Sequence, residues 1–258
     1  MNTRAIIEVL TPRQDAADLD AELEGFGERY RAVVNEGYAV GVPDNPLGLL
    51  HFQAVEMISE LDLPVKVDQL LIHLNTCHTR QHLDEILTKI LEIGGRYVLA
   101  VTGDGSERLP KLTPDSIGFN GNSVTSVELL QYIHREYPGK FVTGAAFNPY
   151  EPQDHEIDKM QRKIGAGASF IVTQPIIGRH DALEKLRRFD IPIIVDAWMS
   201  KKIHLLSRCV GYEIPENTVY DPIANLKELR RNYRDFSVYL TLLGMKTQLP
   251  ILKEILGS

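Results

Sequence analysis

The feature that most constrains this chain is a regular alternation of short, continuous apolar runs with longer amphipathic segments, repeated about eight times along its length. The apolar runs at 4–10, 38–44, 69–75, 96–103, 141–147, 170–176, 192–198 and 236–244 read as strands. They are continuous rather than alternating, the pattern of strands buried on both faces. Helical spacing fills 15–35, 49–61, 79–94, 123–137, 151–167, 180–190, 201–211 and 223–233, and 245–256 closes the chain as a helix despite Pro250. A serine cap precedes the 123–137 segment, and glycines end those at 79–94 and 151–167. Eight strand–helix units in a chain of 258 residues match the size of a (β/α)8 TIM barrel of the α/β class, about 250 residues. A doubly wound open sheet is the alternative, and it requires a reversal of strand order. No Gly/Ser-rich linker or low-complexity stretch divides the chain, so 1–258 reads as one barrel domain.

Charge and cysteine content narrow the function classes. A net charge of −7 gives no general attraction to nucleic acid or to an anionic membrane. No apolar run approaches the roughly 20 residues of a membrane helix, and the N-terminus lacks the apolar core of a signal peptide. Cys77 and Cys209 stand far apart and suggest neither a disulfide framework nor a paired-cysteine zinc site. The expectation is a cytoplasmic protein acting on a small molecule.

In such a barrel, catalysis belongs at the C-terminal ends of the strands. Polar residues stand there at Glu8, Asp44, His73, Asn75, Asp104, Asn148, Gln174, Asp196 and Thr241. Any one of them could simply mark a strand meeting water; together they point to a polar cavity at the barrel mouth. Glu8 lies inside the apolar run "IIEVL", where burial would raise its pKa and suit it to general-acid work, unless a cation pairs with it. Asp104 follows Gly103 and could face a heterocycle, although "GDGS" is equally good turn chemistry. Arg162 and Lys163 suit the last turns of a helix, or an anion if they reach the mouth. His78 and His82 share an i, i+4 spacing with no third ligand evident, so no metal is expected. Trp198 and Cys77 read as packing residues. No G-x-G-x-x-G opens a helix, so a cofactor would not be held by a Rossmann loop.

Taken in order, "EVLTPR", "IHLNTCHTR", "LAVTGD", "GAAFNP", "EIDKMQRKIGAGASFIVTQ", "IPIIVDAWM" and "DFSVYLTLLG" resemble the motifs of the methylenetetrahydrofolate reductase family, a flavin-dependent (β/α)8 barrel. The resemblance implies interconversion of 5,10-methylene- and 5-methyltetrahydrofolate with FAD, reduced by NAD(P)H or another electron donor. It implies Glu8 as general acid, Asp104 as a residue that contacts folate and tunes the flavin, and Gln174 as a pterin contact. It implies flavin contacts at His73, Gly103, Asp104, Ala146, Phe147, Glu156, Arg162 and Lys163. The chain departs from the family pattern at Thr102, where arginine is usual, at Pro175 and the residues after it, where aromatics are usual, and at Leu243, where the Asn-Arg of the last strand is missing. A methyltetrahydrofolate-oxidising direction and a partner-dependent or non-catalytic folate-binding subunit are the alternative readings, and the sequence leaves a homo-oligomer or a redox partner protein open.

Overall fold

The computed structural model describes residues 4–256 apart from Glu216 and Leu243, so the departure at Leu243 lies outside the described residues. The first half of the chain supplies β1 (Ala5–Glu8), α1 (Leu19–Asn35), β2 (Ala39–Val42), α2 (Ala54–Glu60), β3 (Leu70–Leu74), α3 (Arg80–Glu92), β4 (Tyr97–Ala100) and α4 (Ser126–Glu136). The second supplies β5 (Val142–Phe147), α5 (Gln153–Gly165), β6 (Phe170–Thr173), α6 (Asp181–Leu186), β7 (Ile193–Trp198), α7 (Ile203–Val210), α8 (Pro222–Asn232), β8 (Ser237–Thr241) and α9 (Met245–Leu256). The eight strands are parallel and close into a barrel in sequence order, with β8 paired back onto β1. The expected TIM barrel is therefore the fold, and the open-sheet alternative falls because the strand order never reverses.

Strand alternation sorts the side chains into two layers. Ile7, Val40, Leu70, Val98, Ile171 and Leu240 face outward and join the helices in the main core. Ile6, Ala39, Leu71, Leu99, Phe170, Val172, Ile194 and Tyr239 face inward and fill the barrel. The inner rings need space, and two glycines supply it. A Cβ on Gly41 would stand 2.5 Å from the Tyr239 ring, and one on Gly144 2.2 Å from the Phe170 ring. Gly41→Ala is expected to cost about 1–3 kcal/mol by overpacking and to push Tyr239 from its place. Urea unfolding checks this, and an unchanged midpoint would refute the close fit.

Element ends differ from the sequence expectation where local capping decides them. Helix α4 begins after Thr125, not Ser123: the Thr125 side chain accepts from Val127 N, and the Glu128 carboxylate accepts from Thr125 N at 2.7 Å, a reciprocal cap. Helix α1 starts after Asp18, whose carboxylate accepts from Ala21 N. Strands β4 and β6 stop at Ala100 and Thr173, short of the expected 103 and 176. Helix α9 does carry Pro250 within it.

Helix α7 departs from the expected ring of outer helices. Leu226 and Leu229 of α8 join the main core. Ile203, Leu206 and Val210 of α7 instead form a separate cluster with Trp198, Ile214 and Tyr220 at the end of β7. Asn148, just past the end of β5, donates to the Val210 carbonyl at 3.4 Å. Helix α7 thus lies across the mouth, and α8 takes its place on the barrel wall.

Candidate active site

Glu8 is the last residue of β1, on the inward row of Ile6. Packed protein surrounds its carboxyl, leaving a narrow opening to a cleft of about 740 Å3 lined by Thr11, Arg13, His51, Leu242 and Met245. Burial is the main influence and pushes its pKa up to about 7, against smaller opposing effects from hydrogen bonds to Tyr239 and Thr241. The Tyr239 hydroxyl lies 3.0 Å from Glu8 Oε2 and 3.2 Å from His73 Nε2, and so bridges the two across the barrel. Burial pushes the His73 pKa down to about 4, which keeps this imidazole neutral near pH 7. Asp196 faces inward from β7, 7% exposed, and burial followed by the charge of Glu8 raises its pKa well above the ordinary value. Thr241 hydrogen-bonds both Glu8 and Asp196. The result is a line of polar groups, Asp196–Thr241–Glu8–Tyr239–His73, crossing the floor of the mouth. Cys209 of α7 lies within electrostatic range of Glu8, Asp196 and Asp104; its thiol pKa is pushed up to about 12, mainly by burial. Tyr239 was not among the sequence candidates, because a tyrosine in a strand reads as an ordinary packing residue.

A second polar knot ties the β2, β3 and β4 loops together. The Asp44 carboxylate, 3% exposed, lies 2.7 Å from His78 Nε2 and accepts from Asn75 N (2.9 Å), Asn45 Nδ2 (3.0 Å) and Gln53 Nε2 (3.4 Å). His78 precedes the Thr79 cap of α3 rather than lying within the helix, and its Nδ1 is 3.3 Å from that of His82. Asp104 was expected to enter the cavity on a strand end. It lies instead in an exposed loop four residues past β4, where its Oδ2 accepts from Leu47 N at 2.8 Å. Gly103 adopts φ +84°, and a Cβ there would meet Asn75 at 2.9 Å, so this turn requires glycine. Gln174 follows β6 directly and is half-buried, its backbone N–H donating to the Phe147 carbonyl at 2.8 Å.

Only part of the expected flavin set reaches the mouth. His73 and Ala146 face inward near the strand ends, and Gly103 lies in the loop beside them. The Phe147 side chain faces outward into the main core, because it follows inward-facing Ala146 on the strand. Arg162 is exposed in the last turn of α5. That turn lies at the far end of the barrel: the Gly167 carbonyl, just beyond it, accepts from the hydroxyl of Thr143 near the start of β5 at 3.0 Å. Lys163 folds back and donates to the Ala146 carbonyl at 2.7 Å, and burial lowers its pKa to about 8. Glu156 is buried between Lys159 and the Asn148 N–H, which donates to it at 3.2 Å. Arg162 and Lys163 therefore do not form a cationic pair at the mouth. The expected residues do not assemble a cradle for a dinucleotide pyrophosphate, and the described site does not fit FAD in the manner implied. Among the described residues, no group of three or more His, Cys, Asp or Glu is placed to hold a metal ion, and no helix is long and apolar enough to cross a membrane.

The family model for methylenetetrahydrofolate reductase matches residues 35–240. The chain belongs to this family. It is a family of folate-related one-carbon enzymes, and the match covers every strand from β2 to β7 and nearly all of β8. Glu8 precedes the matched segment, so its place in the site rests on its geometry. No curated protein matches the chain. Among solved structures, 2,3-dimethylmalate lyase, of the PEP mutase/isocitrate lyase superfamily, is similar with a TM-score of 0.53 and 8% identity, over 98% of this chain and 80% of that one. QR15, an aldolase, is similar with a TM-score of 0.51 and 14% identity, over 98% and 97%. At such identities the likeness shows the barrel fold alone. This methylenetetrahydrofolate reductase family member thus combines the family's barrel with a buried acid on β1 and an acidic, cation-poor floor.

Proposed function

We propose that this chain interconverts 5,10-methylene- and 5-methyltetrahydrofolate, a two-electron change in which an external redox carrier gives a hydride to, or takes one from, the bridging carbon while Glu8 exchanges the proton at the nitrogen whose bond to that carbon breaks or re-forms. The observation that carries this reading is the inward Glu8 carboxyl, which burial holds protonated to about pH 7 and which Tyr239 orients. A general acid works best when its pKa lies near the working pH. Tyr239 and neutral His73 extend the hydrogen-bonded line behind Glu8 and hold its carboxyl in place, while the opening to the cleft lets the acid exchange its proton.

A second reading is favoured by the placement of Arg162 at the far end of α5: the folate site is kept, and reducing equivalents come from a partner protein rather than from tightly held FAD. One preparation separates the two. Trp198 is the sole tryptophan and lies at the mouth, so its fluorescence reports ligands directly. Titration with 5-methyltetrahydrofolate is expected to change that emission. Added FAD is expected to leave no tightly bound flavin spectrum after gel filtration. No response to the folate, by fluorescence and by calorimetry, would overturn the folate reading. A retained flavin would restore the flavoprotein form of it.

A further inference from the structure

Among the described residues, three buried polar atoms at this end of the barrel have no hydrogen-bond partner: Thr11 Oγ1, Asp196 Oδ1, an acceptor, and Trp198 Nε1, a donor; the last two form a pair. They belong to the same strand, two residues apart, on the inward row that continues from Ile194. Asp196 is 7% and Trp198 3% exposed. Buried polar groups almost always find a partner, and one left without it is costly unless something else completes it. Thr241 and the Ala197 backbone N–H both hydrogen-bond the Asp196 carboxyl, and Oδ1 is the oxygen left without a partner among the described residues. Asp104, the carboxylate that the resemblance offered for the substrate's ring, is meanwhile engaged by Leu47 N in an exposed loop.

We infer that Asp196, with Trp198 beside it, holds the donor-bearing edge of the substrate's heterocycle. This rests on the folate reading above. A pterin ring offers what the orphan pair lacks: an exocyclic amine and ring N–H to donate to Oδ1, and a ring nitrogen or oxygen to accept from the indole. Glu8, joined to Asp196 through Thr241, then lies beside the ring's reactive side. In the present conformation both orphan atoms are closed off from water, and Trp198 packs under Ile203, Leu206 and Val210. The ring enters by displacing this cover. Asp196 is thereby assigned as a binding and positioning residue.

The test compares 5-methyltetrahydrofolate with its analogue lacking the exocyclic 2-amino group, by calorimetry, on the intact chain and on Asp196→Leu and Trp198→Phe. A site built to receive a donor discriminates strongly against a ligand without it. The parent is expected to bind the amino compound at least tenfold more tightly than the analogue. Asp196→Leu, which has no acceptor, should lose most of that discrimination, and Trp198→Phe should weaken both ligands by several-fold. Circular dichroism shows that each variant is folded; should Asp196→Leu fail to fold, Asp196→Ala takes its place. Equal binding of both ligands by the parent, or discrimination unchanged in the variant at 196, overturns the role of Asp196 and leaves the folate reading standing. A parent that binds neither ligand overturns both.

Discussion

Glu8→Gln is expected to lower turnover of 5-methyltetrahydrofolate by roughly a hundred- to ten-thousand-fold, the span of a lost general acid. The same substitution is expected to stabilise the protein at alkaline pH. Burial holds the Glu8 proton up to about pH 7, against 4.5 for the ordinary side chain. Between those values the folded chain binds more protons than the unfolded one, so ionising Glu8 costs stability as pH rises from 4.5 and the cost is complete above 7. Glutamine has a similar shape and never ionises. The variant should match its parent below pH 4.5, gain progressively, and level off above pH 7 at about 2–3 kcal/mol of advantage, allowing for the opening to the cleft. His73 titrates alike in both chains and drops out of the difference. Urea unfolding across this range, with turnover at pH 7, reads both effects. Parallel pH–stability curves would contradict the burial, and undiminished turnover would remove Glu8 from the chemistry.

Asp44→Ala is expected to cost about 3–5 kcal/mol, because several buried donors lose their one shared acceptor. Four donors converge on this carboxylate: His78 Nε2, Asn75 N, Asn45 Nδ2 and Gln53 Nε2. Alanine would leave them facing one another in a space closed to solvent. The loss should be far larger than that from removing the exposed Arg13–Asp15 pair, whose partners are half in water. A thermal unfolding series on Asp44→Ala and Asp15→Ala checks the contrast. Comparable midpoints in the two variants would mean that the Asp44 knot contributes no more than a surface pair.

The α/β class was legible in the sequence because continuous apolar runs and amphipathic segments alternate without interruption, and eight such units in about 250 residues favoured the barrel over the doubly wound sheet that shares the rhythm. Glu8 was legible for a related reason, since a carboxylate inside an apolar strand needs an explanation. Tyr239 was hidden because tyrosine is at home in any strand; that its ring needs the room left by Gly41 of β2 shows only in the fold. The position of α7 was hidden because amphipathic spacing shows that a helix has an apolar face, not which surface receives it. Arg162 is a different case. In a βα unit the helix runs back from the mouth, so residues in its last turn belong at the opposite end, and that much follows from order along the chain. Asp104 was read as the end of a strand that stops four residues earlier, where Val101 N turns to the Leu74 carbonyl and the chain leaves the barrel wall.

The inward glycines give the barrel a floor, and a floor gives the reaction a direction. With the Tyr239 and Phe170 rings filling the space that Gly41 and Gly144 vacate, nothing can approach a bound ring from below. A flat heterocycle resting there turns one face to protein and the other to the opening. In the proposed reaction any group delivered to such a ring comes from the open side, so two missing side chains help to set which face is reached.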